Sequence, residues 1–148
     1  MKLRCLVLLL VGVFLAADKA KPNVAEGDKD KIQGSWTVVA MVQRGKNRPE
    51  KAIREIQLRL TFAGEKMTFT SAFHEKEDTD NVFKLDPTKT PKEIDLTFEF
   101  GKKPSKGIYE LDGDTLRICM STERPATFST KGKGDETITL WVLKRDKP

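Results

Sequence analysis

Residues 94–100 read IDLTFEF, and this stretch has the clearest strand pattern in the chain. Apolar residues occupy positions 94, 96, 98 and 100, and polar residues occupy the three positions between them. Side chains of a β-strand alternate between its two faces, so this spacing predicts a strand with one buried and one solvated face. Strands of this kind are typical of antiparallel sheets that cover a single core.

Similar short patterns extend in both directions and are separated by turn residues. Asp112-Gly113 marks the centre of a hairpin, because it supplies the positive φ angles that a two-residue primed turn requires. Residues 48–56 are the best helical candidate after the N-terminus, and they are long enough for one or two turns. The predicted strands lie in residues 36–43, 57–62, 66–73, 81–86, 94–100, 107–120 (two strands) and 136–145.

The spacing of these strands leaves no room for crossover helices, which favours an antiparallel sheet with local connections. About eight such strands in one domain must protect their edges; closure into a barrel does so fully, and a sandwich does so in part. We predict an all-β fold, an antiparallel up-and-down β-barrel of about eight strands over residues 32–146. A short helical turn capped by Asp28 is expected before the first strand.

The N-terminus has the organisation of an export signal. Lys2 and Arg4 precede an apolar run that ends at Ala17, after which charged residues return. This is the build of a secretory signal peptide over residues 1–17, and the run is shorter than the roughly 20 residues of a membrane span. Residues 18–31 are predicted to be a polar linker. The protein is expected to be exported to the periplasm or the extracellular space, with no membrane span after cleavage; the alternative is a retained N-terminal anchor.

Charge and cysteine content exclude several classes of protein. Removal of the signal lowers the formal charge from +5 to +3, and the remaining lysines are interleaved with acidic residues. A nucleic-acid surface would cluster its positive charges, so no nucleic-acid partner is expected. Cys119 is the only cysteine after residue 17, so the exported chain is expected to have no internal disulfide.

Gly34 and Trp36 begin the first predicted strand. A glycine lets the backbone bend where a helical turn gives way to a strand, and a tryptophan is large enough to plug one end of a barrel. The pair resembles the GxW signature of lipocalins. That resemblance implies that the tryptophan closes the barrel base and that a basic side chain near the last strand packs across it. Arg145 or Lys144 can take this place, and we favour Arg145.

A wider resemblance covers roughly residues 30–145. The stretches IQGSWTVV, FKLDPTKTPKEIDLT, GIYELDGDTLRICM, RPATFST and LWVLKR occur in this order. Together they resemble an uncharacterised lipocalin-like domain family that is abundant in planctomycete bacteria. The family has no established activity, so the resemblance implies a fold and export and provides no catalytic residues.

Residues capable of catalysis or metal binding are sparse. His74 is the only histidine, and the acidic stretch around it lacks the spacing and glycine of a calcium loop. Asp112 and Asp114 are explained by their turn. Cys119 alternates with the inward positions of its strand and is expected to face outward beside Arg117, most simply as a small half-buried residue. We predict no catalytic residues, no metal site and no cofactor.

Binding is the remaining class of function. The predicted interior, which includes Leu140 and Val142 of the last strand, is rich in large side chains, so any cavity is expected to be small, apolar and opposite Trp36. Phe69, Phe98 and Tyr109 are predicted to line it. The favoured hypothesis is an exported binding module for a small apolar ligand. The alternatives are a filled-barrel module for protein interaction or cell-envelope structure and, least favoured, an enzyme.

Overall fold

The computed structural model describes residues 24–99, 103–132 and 137–147. The predicted signal peptide and the first part of the predicted linker lie outside these residues. The described elements are two helices, α1 (Val24–Lys31) and α2 (Glu50–Ile56), and nine strands: β1 (Gly34–Gln43), β2 (Lys46–Asn47), β3 (Arg59–Ala63), β4 (Lys66–Ser71), β5 (His74–Asp86), β6 (Lys92–Thr97), β7 (Ser105–Asp112), β8 (Thr115–Ser121) and β9 (Thr139–Arg145).

Eight of these strands form a closed barrel. Strands β3 to β9 pair with their neighbours in chain order, all antiparallel, and β1 closes the sheet by pairing with both β3 and β9. Strand β2 has two residues and pairs only with the end of β1. The predicted antiparallel up-and-down barrel of about eight strands is confirmed.

The register defines two ends of the barrel. Trp36 of β1 lies opposite Arg145 at one end, which we call the base. Gln43 of β1 lies opposite Thr139 at the other end, which we call the mouth. The β4–β5 hairpin, where Ser71 pairs with His74, also lies at the mouth.

Large apolar side chains fill the barrel from the base upward. Phe62 and Phe83 meet edge to face, with ring centroids 4.8 Å apart. Such contacts and the close packing of aliphatic side chains fill the half of the barrel next to the base. The residues of this core that are at most 1% exposed are Ile32, Trp36, Leu60, Phe62, Met67, Ile94, Leu96, Tyr109, Leu116, Ile118 and Leu143.

A second, smaller core lies outside the barrel wall. The connection between β8 and β9 contributes Phe128 and Ile138, which pack with Cys119 and Leu140. The Arg117 guanidinium carbon lies 4.5 Å from the centroid of the Phe128 ring. This connection therefore covers the outer face of β8 and β9.

The covered outer face explains an error in the predicted phase of β9. Leu140 and Val142 were predicted to face inward, but Trp141 and Leu143 belong to the interior core and Leu140 belongs to the outer one. Both faces of this strand contact apolar groups, so its sequence has no polar side that would mark the outside.

Helix α1 begins earlier than the predicted helical turn. It spans eight residues of the predicted linker, and its Asp28 is only 6% exposed. Ile32, directly after the helix, is fully buried in the interior core. Helix α1 is attached to the barrel, because its polar residues pair with groups of the barrel. None of the described helices is long and apolar enough to cross a membrane.

Candidate functional site

The base of the barrel is closed by Trp36 and Arg145. Trp36 is completely buried, and its Nε1 donates a hydrogen bond to the Ile32 carbonyl oxygen at 2.8 Å. The Arg145 guanidinium carbon lies 4.1 Å from the centroid of the indole. Arg145 also donates to the carbonyl oxygens of Gln33, at 2.7 Å, and of Lys31. One side chain thus covers the tryptophan and binds the segment that leads into β1.

Gly34 lies beside this contact and has φ = +101°. Residues other than glycine rarely adopt that backbone conformation. A β-carbon at this position would also lie 3.4 Å from Arg145 Nη1. The structure therefore brings Gly34, Trp36 and Arg145 together, while Lys144 is exposed and donates to Thr115 instead.

A polar cluster attaches helix α1 to the barrel. Asp28 Oδ2 accepts hydrogen bonds from Lys92 Nζ at 2.6 Å and from the Tyr109 hydroxyl at 2.7 Å. Burial alone would raise the pKa of Asp28, but the hydrogen bonds from Lys92 and Tyr109 outweigh it, so the pKa is lowered. Burial and the hydrogen bond to Asp28 raise the pKa of Tyr109 far above its usual value of 10.0. Lys92 and Tyr109 thus hold Asp28 in place, and the cluster attaches helix α1 to the barrel.

The shifted pKa values predict how this cluster affects stability. The lowered pKa of Asp28 stabilises the fold above about pH 3.8 and loses its effect as the pH falls through the folded-state pKa. The raised pKa of Tyr109 stabilises the fold below about pH 10.0, and this contribution declines at higher pH as the unfolded tyrosine ionises.

We therefore expect Tyr109→Phe to lower the free energy of unfolding by about 1–3 kcal/mol near neutral pH. The difference from wild type should shrink at about pH 11, where ionisation of the unfolded wild-type tyrosine favours unfolding. Urea unfolding of both proteins at the two pH values measures this. An unchanged difference at alkaline pH would contradict the assignment of the hydroxyl to Asp28.

The mouth of the barrel holds an open cavity of about 420 Å³. Phe69 is the centre of its aromatic wall: its ring centroid lies 6.0 Å from that of Phe98, at 84°, and 6.3 Å from that of Trp141. Hydroxyl and amide groups form the rest of the lining, and the exposed Arg44 donates to one of them, Thr137 Oγ1, at 2.7 Å. The described lining residues are Met41, Gln43, Phe69, Phe98, Ser105, Met120, Ser121, Thr122, Thr137, Thr139 and Trp141.

The structure brings two of the three predicted binding residues to this cavity. Phe69 and Phe98 line it, but Tyr109 does not, because its hydroxyl is bound to Asp28 of helix α1. Trp141 lines the cavity and was missed by the sequence argument, which assigned the opposite face of β9 to the interior. A tryptophan in the last strand, beside a predicted mouth, was the available signal.

A second cavity of about 620 Å³ lies outside the barrel, between helix α2 and strands β1 and β3. We call it the outer groove. Its described lining is largely polar and charged apart from Val38, Val39 and Ile53, and two of its arginines have acidic partners: Arg54 pairs with Glu50 and Arg59 pairs with Asp146. Ligand binding at the mouth cavity can therefore be compared with binding at the outer groove of the same protein.

The remaining reactive candidates show no arrangement for chemistry. Cys119 is fully buried, and burial raises the pKa of its thiol although Arg117 acts in the opposite direction. Its expected half-buried position is therefore wrong, because the β8–β9 connection covers it. His74 pairs through its backbone with Ser71, and its side chain lies outside the described part of the structure. Among the described residues, no group of three or more His, Cys, Asp or Glu side chains is placed to hold a metal ion.

No protein-family model, no curated protein and no solved structure matches this chain. The resemblance of its sequence stretches to a lipocalin-like family therefore stays a prediction.

Proposed function

We propose that this protein is an exported, lipocalin-like binding module that takes up one small, largely apolar ligand at the mouth of its barrel and performs no catalysis. The observation that carries the proposal is the aromatic wall of the mouth cavity, opposite a base that is filled by side chains. The export signal read in residues 1–17 supports the proposed location outside the cytoplasm.

The cavity has the size and surface of a small-molecule site. Its volume of about 420 Å³ lies within the range of roughly 300–1,000 Å³ typical of ligand pockets. Its lining combines three aromatic rings and two methionines with six residues that carry hydroxyl or amide groups. Burial of an apolar ligand against the aromatic part of this lining is favourable. Because side chains fill the half of the barrel next to the base, a ligand enters and leaves at the mouth.

A second candidate function is a protein-interaction or envelope module. Phe73, at the tip of the β4–β5 hairpin, is 77% exposed and lies at the mouth end of the barrel. A partner that covers this phenylalanine would gain apolar contact. We rank this candidate second because single exposed apolar side chains are common on protein surfaces, whereas a cavity with an aromatic wall is a feature typical of ligand sites.

The two cavities allow a matched test with a fluorescent apolar probe, N-phenyl-1-naphthylamine. Wild type is expected to bind one probe molecule with an increase in probe fluorescence. Ser105→Trp, which places an indole in the mouth cavity, should weaken binding at least about tenfold, equivalent to 1.4 kcal/mol. Val39→Trp, which alters the outer groove, is the control and should bind like wild type.

Each result distinguishes the candidates. Loss of binding in Val39→Trp with retention in Ser105→Trp would place the site in the outer groove and contradict the proposal. Absence of probe binding by wild type would favour the interaction module.

A further inference from the structure

One buried polar atom beside the mouth cavity lacks a partner. Trp141 is 8% exposed and lines the cavity, and its Nε1 has no hydrogen-bond partner within the described part of the chain. Tryptophan can only donate at this atom, so an acceptor is what it lacks. A buried donor without an acceptor costs roughly 1–3 kcal/mol.

The other tryptophan provides an internal comparison. The chain has two tryptophans, and Trp36 Nε1 donates to the Ile32 carbonyl at 2.8 Å. Both indoles belong to the same interior core, one at the base and one toward the mouth. Only the indole that lines the cavity has an unpaired N–H among the described residues.

The side chains recorded against Trp141 within the described barrel include no strong acceptor. Its ring packs at 33° to that of Phe69, and its strand partners are Met41 and Ile118. Aromatic, thioether and aliphatic side chains are at best weak acceptors. Because Trp141 lines the cavity, a ligand bound there can bring a strong acceptor to this indole.

We infer that the ligand of the mouth cavity carries a neutral hydrogen-bond acceptor, a ketone, ester or amide carbonyl, on an apolar body, and that Trp141 Nε1 donates to this oxygen. The inference rests on the proposed function and adds the chemical class of the ligand. The carbonyl restores the missing hydrogen bond, and the apolar body covers the aromatic wall.

The lining favours a neutral carbonyl over a carboxylate. None of the described residues that line the cavity carries a charge. Burying an ionised carboxylate without a cationic partner is costly, whereas a carbonyl needs only a donor. Trp141 Nε1 supplies that donor, and a described cation beside the lining, Arg44, is exposed and donates to Thr137 Oγ1.

Access to the nitrogen requires a small movement of neighbouring side chains, because Nε1 is shielded from bulk water. Met41 and Met120, which also line the cavity, are suited to this movement. Methionine has three rotatable side-chain bonds and adapts its shape to its surroundings.

The test uses two probes of nearly equal shape, acetophenone and α-methylstyrene. Acetophenone has a carbonyl oxygen at the position where α-methylstyrene has a methylene group. Affinities of both are measured for wild type and for Trp141→Phe, which keeps an aromatic ring and removes the donor. Acetophenone binding should fall roughly fivefold in Trp141→Phe, and α-methylstyrene binding should change little. The phenylalanine variant is checked for an unchanged Trp36 indole signal before use.

A measurement on wild type alone completes the test. Its two indole N–H signals are followed by ¹⁵N–¹H NMR; acetophenone should move the Trp141 signal downfield and leave the Trp36 signal in place. An equal loss of both affinities, or an unmoved Trp141 signal with acetophenone bound, would overturn the inference and leave the proposed function standing. Failure of both probes to bind a wild type that binds N-phenyl-1-naphthylamine would overturn the inference alone, and failure of all three probes would overturn the proposed function as well.

Discussion

Replacing Trp36 with alanine is expected to lower the free energy of unfolding by about 3–5 kcal/mol, the typical cost of removing a buried aromatic side chain. The indole is completely buried at the base and is covered by the Arg145 guanidinium. Its removal also leaves the Ile32 carbonyl without its donor. Domains of this size are stable by about 5–15 kcal/mol, so the loss is a large share of the total.

Urea unfolding followed by circular dichroism measures the effect of this substitution. Trp36→Phe is the control: it keeps a ring in the base but loses the hydrogen bond to Ile32, and it should cost less than alanine. A loss below about 1 kcal/mol for Trp36→Ala would show that this tryptophan does not hold the base together.

Replacing Arg145 with alanine is expected to lower the free energy of unfolding by about 2–3 kcal/mol. The substitution removes hydrogen bonds to the Gln33 and Lys31 carbonyls together with the cation–π contact on Trp36. Its ion pair with Asp114 contributes little, because the carboxylate is 67% exposed. The main loss is therefore the attachment of the segment before β1.

Two matched variants test this assignment by urea unfolding. Arg145→Lys keeps the charge but not the planar fork of donors, so it should recover only part of the stability. Lys144→Ala alters the neighbouring basic residue, which is exposed, and should stay within about 0.5 kcal/mol of wild type. Equal effects of Arg145→Ala and Lys144→Ala would contradict the role of Arg145 at the base.

The sequence predicted best where one face of a strand is apolar and the other polar. The alternation over residues 94–100 predicted a strand, and the structure has β6 at Lys92–Thr97. The period-two patterns predicted about eight barrel strands and their antiparallel connections. Gly34 and Trp36 could be placed at the start of β1 because a positive φ angle and a large plug each require a particular residue type.

Other features depend on contacts between distant parts of the chain. The phase of β9 could not be read, because the β8–β9 connection buries Leu140 on the outer face while Trp141 faces the interior. Helix α1 is polar and resembles a linker until the barrel provides partners for Asp28. Tyr109 was assigned to the cavity for its aromatic character, but its hydroxyl is bound to Asp28 of helix α1.

The central claim is that the mouth of this barrel holds one small ligand. Native mass spectrometry on protein purified gently from its own host tests it most directly, with the same protein measured again after denaturation and Ser105→Trp prepared in parallel. We predict a surplus mass of one small molecule on the wild-type chain that disappears on denaturation and is absent from Ser105→Trp. A native mass equal to that of the bare chain, or a surplus that persists in Ser105→Trp, would contradict the claim.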